Sequence, residues 1–118
     1  LLARPRAKLA RVIPRKGGYS SVREYEFTII IQPQLEEGER DKLIERISEL
    51  LVPGAEEDDK PTINIWGMRR MAYPIEKHVE GFYVLYEAVV DPTRITEIER
   101  SLQYMEDLLR YMSVRKGS

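Results

Sequence analysis

What most restricts this chain is the order in which its apolar residues switch between a repeat of two and a repeat of nearly four. Glu24-Tyr25-Glu26-Phe27-Thr28-Ile29-Ile30-Ile31 alternates as a strand does, with Phe27, Ile29 and Ile31 on one face, and Pro33 ends it. From about Glu36 to Val52 the spacing changes: Leu43, Ile47, Leu50 and Leu51 recur at helical steps. Glu39, Arg40, Lys42, Glu45, Arg46 and Glu49 fill the other face, so the segment predicts an amphipathic helix, stopped by Pro53-Gly54. Thr62 to Met68 is a second strand that continues irregularly to Ile75. The polar run Glu76 to Gly81 predicts a hairpin connection, and Phe82 to Val90 is a third, strongly β-prone strand. At Asp91-Pro92 a helix can begin, because the Asp carboxylate caps free N–H groups and the Pro ring presets φ. Ile95, Ile98, Leu102 and Met105 trace its buried side, and Tyr111 to Arg115 reads as a last short strand.

The order β-α-β-β-α-β makes each helix a crossover between two strands, and both helices must then lie on the same side of the sheet. The expected fold is a ferredoxin-like α+β sandwich: an antiparallel four-stranded sheet with two helices on one face. The other face stays uncovered. In the third strand Val84, Tyr86 and Ala88 are assigned to the helices, and Tyr83, Leu85 and Glu87 to the open side, although both sets are apolar enough for the reverse. Ordinary burial preference places Trp66, Met68 and Met71 in the core. Four consecutive acids, Glu56-Glu57-Asp58-Asp59, predict a solvated loop.

A chain of 118 residues with 42% hydrophobic residues supports one globular core. With no cysteine there is no disulfide framework, thiolate metal site or cysteine nucleophile, and imidazole chemistry would rest on His78 alone. No apolar run is long enough to span a bilayer, so no membrane association is expected. The net charge of −1 conceals an uneven distribution. Residues 1–22 hold six basic residues (Arg4, Arg6, Lys8, Arg11, Arg15, Lys16) and no acid, whereas the remainder holds 13 basic and 20 acidic residues. Gly17-Gly18 marks the joint, which divides the chain into a flexible basic arm over 1–22 and a domain over 23–116. Such an arm suits counterion-releasing contact with phosphate, and reads equally as a leader remnant or a solvated tail.

Several blocks carry a family likeness. Arg23-Glu24-Tyr25-Glu26 opens the first strand and Gln32-Pro33 closes it. Gly67-Met68-Arg69-Arg70-Met71-Ala72-Tyr73-Pro74-Ile75-Glu76-Lys77 is followed by Glu80-Gly81-Phe82-Tyr83. In this order and spacing they resemble ribosomal protein six of the bacterial small subunit, over roughly Arg23 to Lys116; the basic arm has no counterpart. The resemblance implies a structural, non-catalytic protein without cofactor, metal or small-molecule substrate. It would bind the central domain of small-subunit rRNA as a heterodimer with ribosomal protein eighteen, on ribosomes of the cytoplasm or, alternatively, of an organelle. Carried over by residue, it implies RNA contacts at Arg23, Tyr25, Arg69, Arg70 and Lys77 and partner contacts at Met71, Tyr73 and Pro74. The division of Arg69 and Arg70 between RNA and protein is left open. Neighbouring strand residues face opposite ways, so one of these arginines is expected on the helix side or its rim.

Other classes fit less well. An RNA recognition motif shares the element order, but in Glu80-Gly81-Phe82-Tyr83-Val84-Leu85-Tyr86 an acid stands at the basic first position and bulky Tyr83 at a small one. A ferredoxin-like hydrolase of acyl phosphates needs an anion cradle, and the turn Gln32-Pro33-Gln34-Leu35-Glu36-Glu37 is acidic and lacks glycine. A sensor or interaction domain outside the ribosome is the remaining alternative, since fold alone does not decide function.

Overall fold

The computed structural model describes residues 22–116, so the arm expected over 1–22 lies outside the described residues except for Val22. The elements are β1 (Arg23–Ile31), α1 (Glu37–Leu51), β2 (Thr62–Ile75), β3 (His78–Val90), α2 (Ile95–Gln103) and β4 (Leu108–Arg115). The sheet order is β2-β3-β1-β4 and every ladder is antiparallel, which gives the expected ferredoxin-like α+β sandwich.

Strand alternation decides the core. Phe27, Ile29 and Ile31 of β1 and Val84, Tyr86, Ala88 and Val90 of β3 are all buried, and they form one cluster with Leu43, Ile44, Ile47 and Leu51 of α1 and Ile98 and Leu102 of α2. Tyr86 is fully buried, yet its hydroxyl donates to the Ile44 carbonyl oxygen at 2.8 Å, so the sheet is tied to α1 through a satisfied polar group. Burial pushes the Tyr86 phenol well above its ordinary range, and Glu45 adds to the effect. No basic residue stands in the last turn of α1. Its terminal carbonyls are met instead from a distance: the Arg94 guanidinium donates to the Leu51 and Leu50 oxygens at 2.9 and 3.0 Å. Arg94 closes the 3-10 turn Pro92–Arg94 that leads into α2, where Asp91 accepts from the Thr93 N–H at 2.9 Å as the sequence led us to expect.

Four expectations need correction. His78 to Gly81 is strand rather than connection, because the turn is only Glu76-Lys77. Both residues take positive φ (49° and 72°), as a two-residue hairpin turn of matching twist demands. β4 starts at Leu108, three residues earlier than its apolar pattern suggests. Trp66 and Met68 are exposed, not core, because β2 is an edge strand and its register slips between Ile65 and Gly67. Arg40, read as a solvent-facing helix residue, is half-buried with its guanidinium carbon 4.0 Å above the Phe82 ring. The acidic run does reach solvent, wound into one exposed 3-10 turn over Glu57–Asp59.

Candidate nucleic-acid and partner interface

The long β2–β3 hairpin outruns the rest of the sheet. β1 stops at the Ile31–Phe82 pair, whereas β2 and β3 continue from Met68–Phe82 through Arg69–Gly81 and Arg70–Glu80. Beyond that level the two strands lose step: between Arg70–Glu80 and Ile75–His78, four residues of β2 face Val79 alone. Met71 to Pro74 must therefore arch out of the ladder. Pro74, which has no N–H to contribute, is tolerated at such a bulge.

The arch leans over the helix-free side. Met71, Ala72, Tyr73 and Ile75 share a shallow pocket with Ile30, Tyr83 and Arg110, which are cross-strand neighbours on the open face of β1, β3 and β4. Across it the Arg110 guanidinium donates to the Tyr73 hydroxyl oxygen at 3.2 Å. That hydrogen bond, and the positive charge behind it, pull the Tyr73 phenol below its ordinary pKa. Beneath the arch the backbone comes close: a Cβ on Gly81 would collide with the Ile30 Cγ2 methyl, so glycine is required for this approach.

The eight residues expected to form the site do not converge. Arg69, Arg70, Tyr73, Pro74 and Lys77 are all exposed on the outer half of the hairpin, with Lys77 at its tip. Arg69 pairs with Gly81 and Arg70 with Glu80, so alternation sets the two on opposite faces of the hairpin, and both are exposed because they lie past the end of β1. Met71 is only 7% exposed and supports the arch from beneath. Arg23 and Tyr25 are at the opposite end of the sheet, where Arg23 faces Val90 across the ladder. At ~3.4 Å per residue, the eight steps from Arg23 and the six from Tyr25 to Ile31 put them roughly 27 and 20 Å from the hairpin base. Tyr25 is itself in the core, 7% exposed with its ring 6.1 Å from that of Phe27, so its face is already taken.

Arg110 and Trp66 were not singled out as contact residues by sequence. Arg110 is an isolated basic residue in β4, and only the arch of β2 gives it a role. Trp66 carried a readable sign, the adjacent Gly67, which takes φ 85° at the register slip.

The comparisons with known proteins agree with this geometry. The family model described as ribosomal protein S6 matches residues 24–115. Small ribosomal subunit protein bS6 of Fusobacterium nucleatum is 37% identical over 95 residues, covering 80% of this chain and 99% of that protein. Its counterpart in Caldanaerobacter subterraneus is 38% identical over 94 residues, covering 80% and 97% respectively. The crystal structure of 30S ribosomal protein S6 from Thermotoga maritima superposes with a TM-score of 0.73 at 29% identity, covering 81% of this chain and 89% of that one. On the strength of the fold, the matched span and these relatives, the chain belongs to the ribosomal protein S6 family of the small ribosomal subunit.

Proposed function

We propose that this protein is a structural component of the small ribosomal subunit, where it binds the central domain of the rRNA jointly with ribosomal protein eighteen. The observation that carries this reading is the projecting hairpin: Arg69, Arg70 and Lys77 stand exposed on it past the end of β1, on either side of the arch that Tyr73 and Arg110 clasp. Arginine forks suit phosphate and also stack on bases, so a hairpin that presents two of them is a good RNA contact. The rest of the domain is acidic, with 13 basic against 20 acidic residues outside 1–22. A surface of that sign is a weak polyanion ligand by itself, and a basic partner would supply the missing phosphate contacts. The half-exposed apolar face of the sheet offers such a partner a seat. Residues 1–22 add a cationic arm, and the work proceeds on the ribosome of the bacterial cytoplasm or of an organelle, without a catalytic step.

Footprinting of small-subunit RNA with this protein alone, with ribosomal protein eighteen alone and with both tests the reading. Protection should appear in full only with both. Replacing Arg69 and Arg70 by Ala should weaken it while the thermal midpoint stays put, because exposed arginines contribute little to folding. Equal protection by this protein alone would overturn the cooperative reading. Unfolding of the double variant with intact RNA binding would show that the pair is structural.

A further inference from the structure

Trp66 is the only tryptophan of the chain, and 49% of it is exposed on edge strand β2. Its position is built. Ile65 pairs with Val84 and Gly67 with Tyr83, so Trp66 is the extra residue of a bulge, and Gly67 adopts the left-handed conformation that such a bulge favours. Arg69 then folds back onto it. The Arg69 Nε donates to the Trp66 carbonyl oxygen at 3.4 Å, and the guanidinium carbon lies 5.6 Å from the centre of the indole, within cation–π range. The fourteen residues of β2, Thr62–Ile75, include two arginines and no acid.

We propose that Trp66 is a stacking platform for an unpaired RNA base, with Arg69 bracing the indole and Arg69 and Arg70 meeting the flanking phosphates. The inference rests on the RNA-binding reading above and assigns it a particular contact. An indole offers a broad π surface to any base, and guanidinium groups beside it recruit the backbone that carries the base. The absence of acid along the strand favours a polyanion over a protein as the occupant. The bulge also disfavours simple addition of another strand at this edge, because it interrupts the regular row of N–H and C=O groups.

Because Trp66 is unique, its own fluorescence reports the contact. The full-length protein is titrated at low salt with single-stranded oligoadenylate and with an RNA duplex of equal length. Binding of the central-domain RNA, with ribosomal protein eighteen present, is measured for the wild type, Trp66→Ala and Trp66→Phe. The single strand should quench the emission saturably and the duplex should not. Trp66→Ala should lose about 5- to 150-fold in affinity, the range expected for one stacked base, and Trp66→Phe should recover part of it. Far-UV circular dichroism should show both variants folded. Saturable RNA binding that leaves the emission unchanged, or Trp66→Ala binding like the wild type, overturns the platform and spares the RNA-binding reading. A blue shift on adding the partner protein alone, with partner binding lost in Trp66→Ala, makes Trp66 a protein contact and also overturns it. Absence of RNA binding by the wild type under both conditions removes the RNA-binding reading and the platform with it.

Discussion

The two faces of the sheet start from similar strand sequences and end in different states. On the helix side Phe27, Ile29, Ile31, Val84, Tyr86 and Val90 are between 0% and 2% exposed. On the open side Tyr83 and Leu85 are half-buried, and Met112 and Val114 are about half exposed. Among the described residues, covering comes there only at the two ends. The Met71–Pro74 arch closes one end over Ile30, and at the other the Lys116 ammonium lies 3.1 Å from Glu87 and 3.8 Å from Glu26. The difference teaches that alternation creates two candidate interiors, and that the chain's own helices occupy only one. Among the described residues the other stays half-covered between its two closed ends.

The largest expected effect separates the faces directly. Ile47→Ala, in the centre of α1 and fully buried, should cost about 2–5 kcal/mol in denaturant unfolding, because it leaves a cavity among packed neighbours. Met112→Ala on the open face should stay within about 0.5 kcal/mol. Equal losses would show that the open face is as much a core as the other. The arch is where the distinction is most easily broken. Gly81→Ala forces a methyl against Ile30 and should cost about 1–3 kcal/mol, as overpacking does, although Gly81 lies away from the helices. If instead its unfolding midpoint matches that of the wild type, Ile30 yields and the arch is soft. Repeating Gly81→Ala in an Ile30→Ala background would show this, because the added cost of the alanine would then match that in the wild type rather than shrink.

The smallest effect concerns the buried hydrogen bond that ties β3 to α1. Tyr86→Phe deletes the hydroxyl that reaches Ile44 and should lower stability by about 0.5–1.5 kcal/mol at neutral pH. Its pH dependence has a definite sign. Burial raises the folded pKa of Tyr86 above the unfolded value of about 10, so its contribution is complete below that pH and is lost as pH rises toward the folded value. Wild-type stability should therefore fall more steeply above pH 10 than that of Tyr86→Phe. Parallel curves would place the hydroxyl in contact with water.

Much of this architecture could be read from periodicity. Phe27, Ile29 and Ile31 announced the buried side of β1, Leu43 and Ile47 the buried stripe of α1, and Asp91-Pro92 the entry to α2, because each signal is complete within a few residues. The proposed contact residues were less legible. The grouping Arg69, Arg70 and Lys77 was visible through the family resemblance, which also gave Arg23 and Tyr25 as RNA contacts at the start of the first strand, and the sheet holds those two at its other end. Trp66 and Met68 looked like core because they are large and apolar. Only the edge position of β2 and the slip at Gly67 leave them outside.

By itself the order of repeats determined that four strands and two helices would form, and that both helices would lie on one side. Those outcomes depend on local alternation and on the handedness of crossovers, which any chain of this pattern obeys. Tertiary structure decided which side chains meet across distance. Arg110 finds Tyr73 because four residues of β2 face one of β3 and are pushed over the sheet, and Arg94 caps α1 because the end of that helix comes to lie beside it. Register and bulges are set by the sum of many weak contacts between distant segments, and no single stretch of sequence contains that sum.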